Sequence, residues 1–443
     1  MTRNNFSWDA RLSNKATNVL SVNLLYSDLF YETPGALTLN EFNSNPRVAR
    51  PATPAFPSAG QARASIDQQA LLVGLSNTHR FAGGLKNSTT LYGFLSTTKN
   101  PTVQNYERKR EPHAGARTLF EYEVKRNQST FQLAGGAEFQ QGSFKYKTYR
   151  NIAGKPDTLR IHDELDIQQG FVFGQVTWKY RQLIATLGGS FNKMNLDFDR
   201  LNTQPSLSAT KKFSGQFTPR FAVLYKVNRA ISVYTNVAKG FSPPAADEIF
   251  ADNNSLNLAL EAEQGWNIEP GIRGSVLQKK ISFDISFFST GLENSIVTRR
   301  DSGGGNYFVN AGKTSQRGIE ATLAYELAGK ETSFFYGSTF RASFSHYDFT
   351  YKTFVQGSND YSGNNMPGVA ANNLTLMLNL ETQNHFYLHL THSYTDKIYL
   401  NDANSAAAPA FQLLSAKAGY NIQRSKTRWT IFAGADNIGD VKY

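Results

Sequence analysis

A chain of 443 residues has room for two or three ordinary domains, yet no stretch of it reads as a linker between them. No run of about 18 apolar residues occurs, which excludes a bundle of membrane-crossing helices, and the absence of cysteine excludes thiol catalysis, disulfide frameworks and Cys-based metal sites. The formal charge of +11 admits a membrane surface or an anionic ligand as partner, but no dense Lys/Arg run sits in a nucleic-acid motif, so no nucleic-acid partner is expected.

The first residues, Met1 to Phe30, hold no signal peptide, because Arg3, Asp9, Arg11 and Lys15 interrupt any apolar stretch. An exported protein would therefore have its native start upstream. From there the dominant pattern is alternation with period two. It runs through Leu183, Ala185, Leu187, Gly189 and Phe191, then Phe221, Val223, Tyr225 and Val227, then Ile231, Val233 and Val237, and is clearest at Leu374, Leu376, Leu378 and Leu380. Helical spacing is not sustained anywhere.

Two kinds of break separate these runs. Short, polar and often basic breaks fall near Asn14, Gly83, Arg126, Arg181, Asn228, Lys279, Lys330, Gln383 and Lys426. Longer breaks rich in Pro, Gly, Asn and Asp run from Tyr31 to Ile66, Asn100 to Gly115, Asn151 to Asp166, Gly240 to Glu261, Thr350 to Val369 and Asp396 to Pro409. The two kinds alternate, and the short ones recur about every 45 to 55 residues, so each period is one hairpin. A propeller of similar period would hold four short strands per repeat, whereas here each repeat holds two long ones. Short turns on one side and long loops on the other predict an all-β fold, a transmembrane antiparallel β-barrel with about 18 strands present. Aromatics reach 13% of residues, as interfacial girdles require, and Trp178, Tyr180, Tyr225, Tyr325, Phe386 and Trp429 all stand beside short turns.

Several segments resemble the TonB-dependent outer-membrane receptors. Tyr234, Gly240, Phe241, Pro243 and Glu248 look like that family's strand exit. Leu260, Glu263, Glu269, Gly271 and Arg273 match its spacing, although Ala262 stands where Pro is usual and Pro270 replaces an apolar residue. Phe283 to Val297, followed by Tyr307, Asn310, Ala311, Gly312, Arg317, Gly318, Ile319 and Glu320, continues the likeness. The run Gly434, Asp436, Asn437, Ile438 and Asp440 is similar to the box before the last strand, and Tyr31 to Thr38 with Asn45 to Pro51 is similar to a first-loop pattern of the ferric-complex receptors. The resemblance spans nearly the whole chain. It implies a 22-strand barrel around an N-terminal plug, so residues 1–443 would be the barrel domain with plug, first strands and last strand lying outside the sequence. Pro219 and Pro270 are expected at or above the rim, since proline cannot donate to a ladder.

The resemblance further implies a bacterial outer-membrane receptor, not an enzyme, that binds a ferric chelate at its outer loops for import energised by the TonB complex. A passive porin-like channel is the alternative. Anionic chelates call for arginine forks, so the candidate ligand residues are Arg47, Arg50, Arg108, Arg110, Arg299 and Arg300, with Tyr106 and Tyr361 as stacking rings. The same arginines would serve equally as solvated loop charges or as contacts to lipopolysaccharide phosphates in the surrounding outer-membrane lipid. No cofactor is expected. His385, His389 and His392 form the one histidine cluster, with His385 and His389 expected on one strand face and His392 on the other, and no metal site is assigned to them. Gly303, Gly304 and Gly305 read as a tight loop, since no strand-to-helix context makes them a phosphate cradle.

Overall fold

The computed structural model describes residues 1–249, 257–300, 305–328 and 334–443, without the side chains of Arg300 and Ala328. One antiparallel sheet of 19 strand segments dominates it. Each strand pairs with the next along the chain, from Thr2–Asn14 on Asn18–Glu32 to Phe411–Arg424 on Thr427–Ala435. Leu207–Lys212 and Gln216–Lys226 lie end to end along the same neighbour, Leu183–Arg200, with the register slipping by one residue between them. They are one interrupted strand, and the wall therefore has 18 positions. Among the described residues the first and last strands pair on one side only.

The register sorts side chains by face. Leu133, Val176, Leu187, Phe221, Val237 and Ile268 fall in one row across six strands. The next row is Gln132, Thr177, Thr186, Ala222, Asn236 and Glu269. The apolar row is open to the surroundings, with Leu187 64% exposed. In water such a band would be a large unfavourable patch; against hydrocarbon it is the favoured outer face, and the polar row lines the lumen. All six turn-side aromatics named above take outer-face positions, and Trp178 stacks with Phe131 and Tyr180 at 6.5 and 5.9 Å.

On the lumen face two strands share one device. Tyr92 lies across Gly115, and its hydroxyl donates to Glu138 at 2.8 Å. Tyr234 lies across Gly271 and donates to Asp284 at 2.8 Å. A Cβ at either glycine would stand within 2.5 Å of the ring, so only glycine lets the ring lie flat on the wall.

The sequence reading needs three corrections. The stretches from Asn100 to Gly115 and from Asn151 to Asp166 are not long loops. They are the upper halves of Lys86–Pro101, Asn105–Arg126, Ser129–Ile152 and Lys155–Tyr180, the last of these 26 residues long. Three residues and two residues turn these hairpins, the second at Ala153 and Gly154, both at positive φ. A strand that rises above the lipid loses its apolar face, and its charged alternation reads like loop. Pro219 and Pro270 are not at the rim but inside wall strands. Each sits where the ladder on its other side is open: pairing to Ile231–Ser242 begins one residue after Pro219, at Arg220, and pairing between Glu263–Val276 and Ile281–Glu293 skips Pro270. Pro112 occupies a third such gap, between Arg110 and His113. His385 lies in a turn at φ 66° rather than on the strand with His389, and no three-residue metal cluster occurs among the described residues. Lys330 and Gly303–Gly304 lie outside the described residues.

The two faces make a paired prediction. Leu376→Arg, at the centre of its strand on the outer face, should destabilise the folded barrel in lipid by roughly 2–4 kcal/mol, while Thr375→Arg on the lumen face should cost little. Urea unfolding in bilayers, followed by heat-modifiable gel mobility, measures both; equal losses would contradict the assigned faces.

Candidate ligand site at the long-loop rim

Buried side chains concentrate at the rim that carries the long loops, in two clusters. The first packs Ile249, from the short helix Ala246–Ile249, against Tyr146, Leu165, Leu196 and Phe198 on the lumen face of three wall strands. Polar contacts fix the same loop. Lys109 Nζ reaches Asp247 at 2.7 Å, and Lys211 Nζ donates to the carbonyls of Leu258 and Leu260 and pairs with Glu261 at 3.0 Å. Asn257 donates to the Phe308 carbonyl at 3.0 Å, tying this loop to the next. On the same strands, Arg200 forks onto buried Asp163 at 2.8 and 2.7 Å.

The second cluster joins three further rim segments. The hairpin of Ile296–Arg300 with Asn306–Asn310 supplies Val297 and Arg299, the end of Ser338–Thr353 supplies Tyr351, and Phe354, Tyr361 and Met366 follow. Tyr351, Phe354 and Tyr361 form a chain of rings with centroids 4.8 and 5.4 Å apart. The Arg299 guanidinium lies over Phe354 at 4.8 Å and donates from Nη1 to Asp402 in the 396–410 loop at 2.5 Å. Tyr351 donates to the other Asp402 oxygen at 2.6 Å, and Asn364 donates to the Asp402 carbonyl at 2.7 Å. Both charged side chains are about nine-tenths buried, at 10% and 14% exposure. Arg299 Nε and Nη2 have no hydrogen-bond partner among the described residues. Both atoms are shielded from solvent, so the fork has one arm anchored and two donors whose chemistry suits an anionic oxygen.

The structure therefore separates the arginines and rings singled out from sequence. Arg299 and Tyr361 come together around Phe354. Arg300 pairs through its backbone with Asn306, and its side chain is not described. Arg47 and Arg50 stay within the first loop: Arg47 is exposed in a turn made by Asn45, and Arg50 covers Phe56 at 5.6 Å. That loop holds two short helices, each with a reciprocal cap, and the Thr38 N–H and hydroxyl keep the Glu41 carboxyl below its ordinary range. Tyr106, Arg108 and Arg110 take positions on the outer sheet face, the face that carries Ala114, Ala116 and Phe120 lower down. They do not line the mouth. Asp402, Asn364, Lys109, Asp163 and Arg200 escaped the sequence reading, because their partners lie 37 to 138 residues away and no local pattern marks them.

Asp402→Ala should leave the Arg299 charge buried without its anchor and loosen three loops while the wall stays folded, a local cost of about 3–5 kcal/mol. Limited proteolysis should then cut within residues 354–371 and 396–410 with heat-modifiable mobility retained; an unchanged cleavage pattern would show that the pair does not hold the loops.

Residues 7–438 match the family model described as "TonB dependent receptor-like, beta-barrel". A probable TonB-dependent siderophore receptor, PiuA of Acinetobacter baumannii, is 23% identical over 273 residues, 59% of this chain and 35% of that protein. The ferripyoverdine receptor of Pseudomonas aeruginosa is 29% identical over 128 residues, 28% of this chain and 15% of that protein. The crystal structure of the ferric citrate transporter FecA in its unliganded form superposes with a TM-score of 0.80 at 14% identity, covering 99% of this chain and 65% of that one. The structure of PiuA gives 0.76 at 15% identity, covering 95% and 68%. At these identities the superpositions speak for the fold, and the chain spans about two thirds of each solved receptor. The relatives are transport receptors of the bacterial outer membrane and not enzymes, and this chain belongs to the TonB-dependent receptors through its β-barrel.

Proposed function

We propose that the protein binds a ferric chelate at the loop-built mouth and imports it with energy delivered by the TonB complex. The observation that carries this reading is the Arg299 site. A buried guanidinium, held over Phe354 and against Asp402, keeps two solvent-shielded donors without a partner among the described residues at the junction of three rim segments, donors that a chelate would reach once the covering loops part. An iron-loaded, oxygen-rich chelate presents the complementary chemistry: anionic or carbonyl oxygens for the fork, and flat or apolar groups for the rings of Tyr361 and Phe354. One relative is named as a probable siderophore receptor and another as a ferripyoverdine receptor, which supports an iron-loaded chelate as the ligand. Gating by a plug and contact with TonB belong to the whole receptor in this reading. A passive porin-like channel is the weaker alternative, because the matched family is one of receptors.

Deleting the gene and growing cells on single iron sources tests the proposal. Growth should fail on one class of ferric chelate and be restored by the wild-type gene, and Arg299→Met should raise the chelate concentration needed by about ten- to a hundredfold, the cost of a lost charge-assisted fork. Unchanged uptake of every ferric chelate in the deletion strain would reject the iron reading, and free diffusion of unrelated small solutes through the protein in liposomes would favour the channel.

A further inference from the structure

The loop that follows Ile231–Ser242 is held against the lumen wall at a junction of four polar side chains. Ile249 seats it among Tyr146, Leu165, Leu196 and Phe198, and Asp247 stands at the edge of that packing. Lys109 Nζ donates to Asp247 Oδ1 at 2.7 Å. The Tyr146 hydroxyl lies 3.5 Å from the same oxygen and 3.2 Å from Glu111 Oε1. A phenol has one proton, so it can donate fully to only one of the two carboxylates at a time. Burial, with both acids beside it, pushes the Tyr146 phenol up, and it stays a donor across the neutral range.

Glu111 and Asp247 sit on different elements. Glu111 belongs to Asn105–Arg126, three residues above Ala114 and beyond the apolar band, and Asp247 belongs to the short helix Ala246–Ile249 of the loop. Docking the loop therefore covers one carboxyl and brings a second beside it. Burial first, and then the Asp247 charge, hold the Glu111 carboxyl above its ordinary range, while Tyr146 and Lys109 pull the other way. The neighbouring charges have partners of their own. Glu107 accepts from Asn100 at 3.0 Å, Asp163 takes the Arg200 fork, and Glu248 accepts the Ala245 N–H at 2.7 Å. His113 reaches the Glu111 backbone, and Ser96 and Thr98, opposite Glu111 and Lys109, are uncharged.

We infer that this junction is an acid-tightened latch: the loop docks most firmly with a proton on Glu111 and slackens when Glu111 and Asp247 are both charged. Proton linkage sets the direction. A carboxyl that holds its proton more tightly in the docked state than in the released one favours docking below the ordinary glutamate range. Docking weakens as pH rises from that range through the raised value, because the docked state must then bear two carboxylates on one phenol proton and one lysine. Above that value the effect is constant. Ile249 and the Lys211 bonds to the Leu258 and Leu260 carbonyls do not titrate in this window and keep the slackened loop near the wall. Asn257 ties the same loop to the Phe308 carbonyl, in the hairpin that carries Arg299. The latch thus also sets how freely the mouth parts, a consequence that rests on the proposed ligand site.

The chain has no cysteine of its own, so spin labels can be placed on Ala245→Cys in the loop and Thr158→Cys on the wall of the full chain in detergent. Distances between them, read by pulsed electron resonance without any chelate, should form one narrow population at about pH 4.5. At about pH 7.5 a second, broader population should appear, several-fold larger in share than in acid. Glu111→Gln keeps an acceptor for Tyr146 and cannot ionise, so it should hold the narrow population at both pH values. Asp247→Asn should also lose the pH response while docking less firmly, because its Lys109 pair is gone. Heat-modifiable mobility should show every barrel folded. An unchanged distribution in the wild type, broadening toward acid, or a pH response that survives in Glu111→Gln would overturn the inference.

Discussion

Inside hydrocarbon a backbone N–H or C=O has no water to fall back on, so each must find its partner within the wall. That constraint organises the rest of this chain. It imposes the unbroken succession of antiparallel ladders from Thr2 to Ala435. It also dictates where the prolines go. Pro112, Pro219 and Pro270 each occupy a gap in the ladder on one side, where the missing N–H costs no bond, while pairing on the other side continues through them.

The same constraint inverts the usual location of the core. The wall is one sheet thick, with lipid on one face and a polar lumen on the other, so it cannot bury a side chain on both sides. Residues such as Leu187 and Phe217 remain open in the structure at 64% and 60%, and their favourable transfer is into the membrane. Among the described residues, buried clusters of the ordinary kind form only where loops fold back on the strands, around Ile249 and around Tyr351. Among the described residues the mouth therefore holds the packed clusters of the molecule. Its charged side chains, Arg299 with Asp402 and Lys109 with Asp247, hold loops to each other and to the wall. These pairs set the shape of the mouth.

Within the membrane band the sequence was almost transparent, because alternation has only one physical reading when one face is lipid. The strand of Leu374, Leu376 and Leu378, the turn-side aromatics and the count of wall strands all rest on that. Legibility failed above the band. There both faces meet water or folded loops, apolar alternation disappears, and the hairpins around Gln104 and Gly154 looked like long loops. It failed again at the mouth, where contacts depend on long-range closure. Arg299 could be named as a candidate by residue type, but Asp402, more than a hundred residues away, could not. Residue type also could not rank Arg299 above Arg108, since composition and loop-like context are the same for both.

What distinguishes those two arginines is parity. In Asn105–Arg126 the order Glu107, Arg108, Lys109, Arg110, Glu111 places acid and base on opposite faces only because the register is fixed lower down, where Ala114, Ala116 and Phe120 must face lipid. A slip of one residue would turn Glu107 and Glu111 outward, onto the face of Lys145 and Lys147, and turn Arg108 and Arg110 inward. The hydrophobic band that anchors the strand in the membrane thereby also decides, some 10 Å above it, which charges turn outward and which turn inward. One register thus sorts the charges of both faces, and the residues that fix it lie below the charges it sorts.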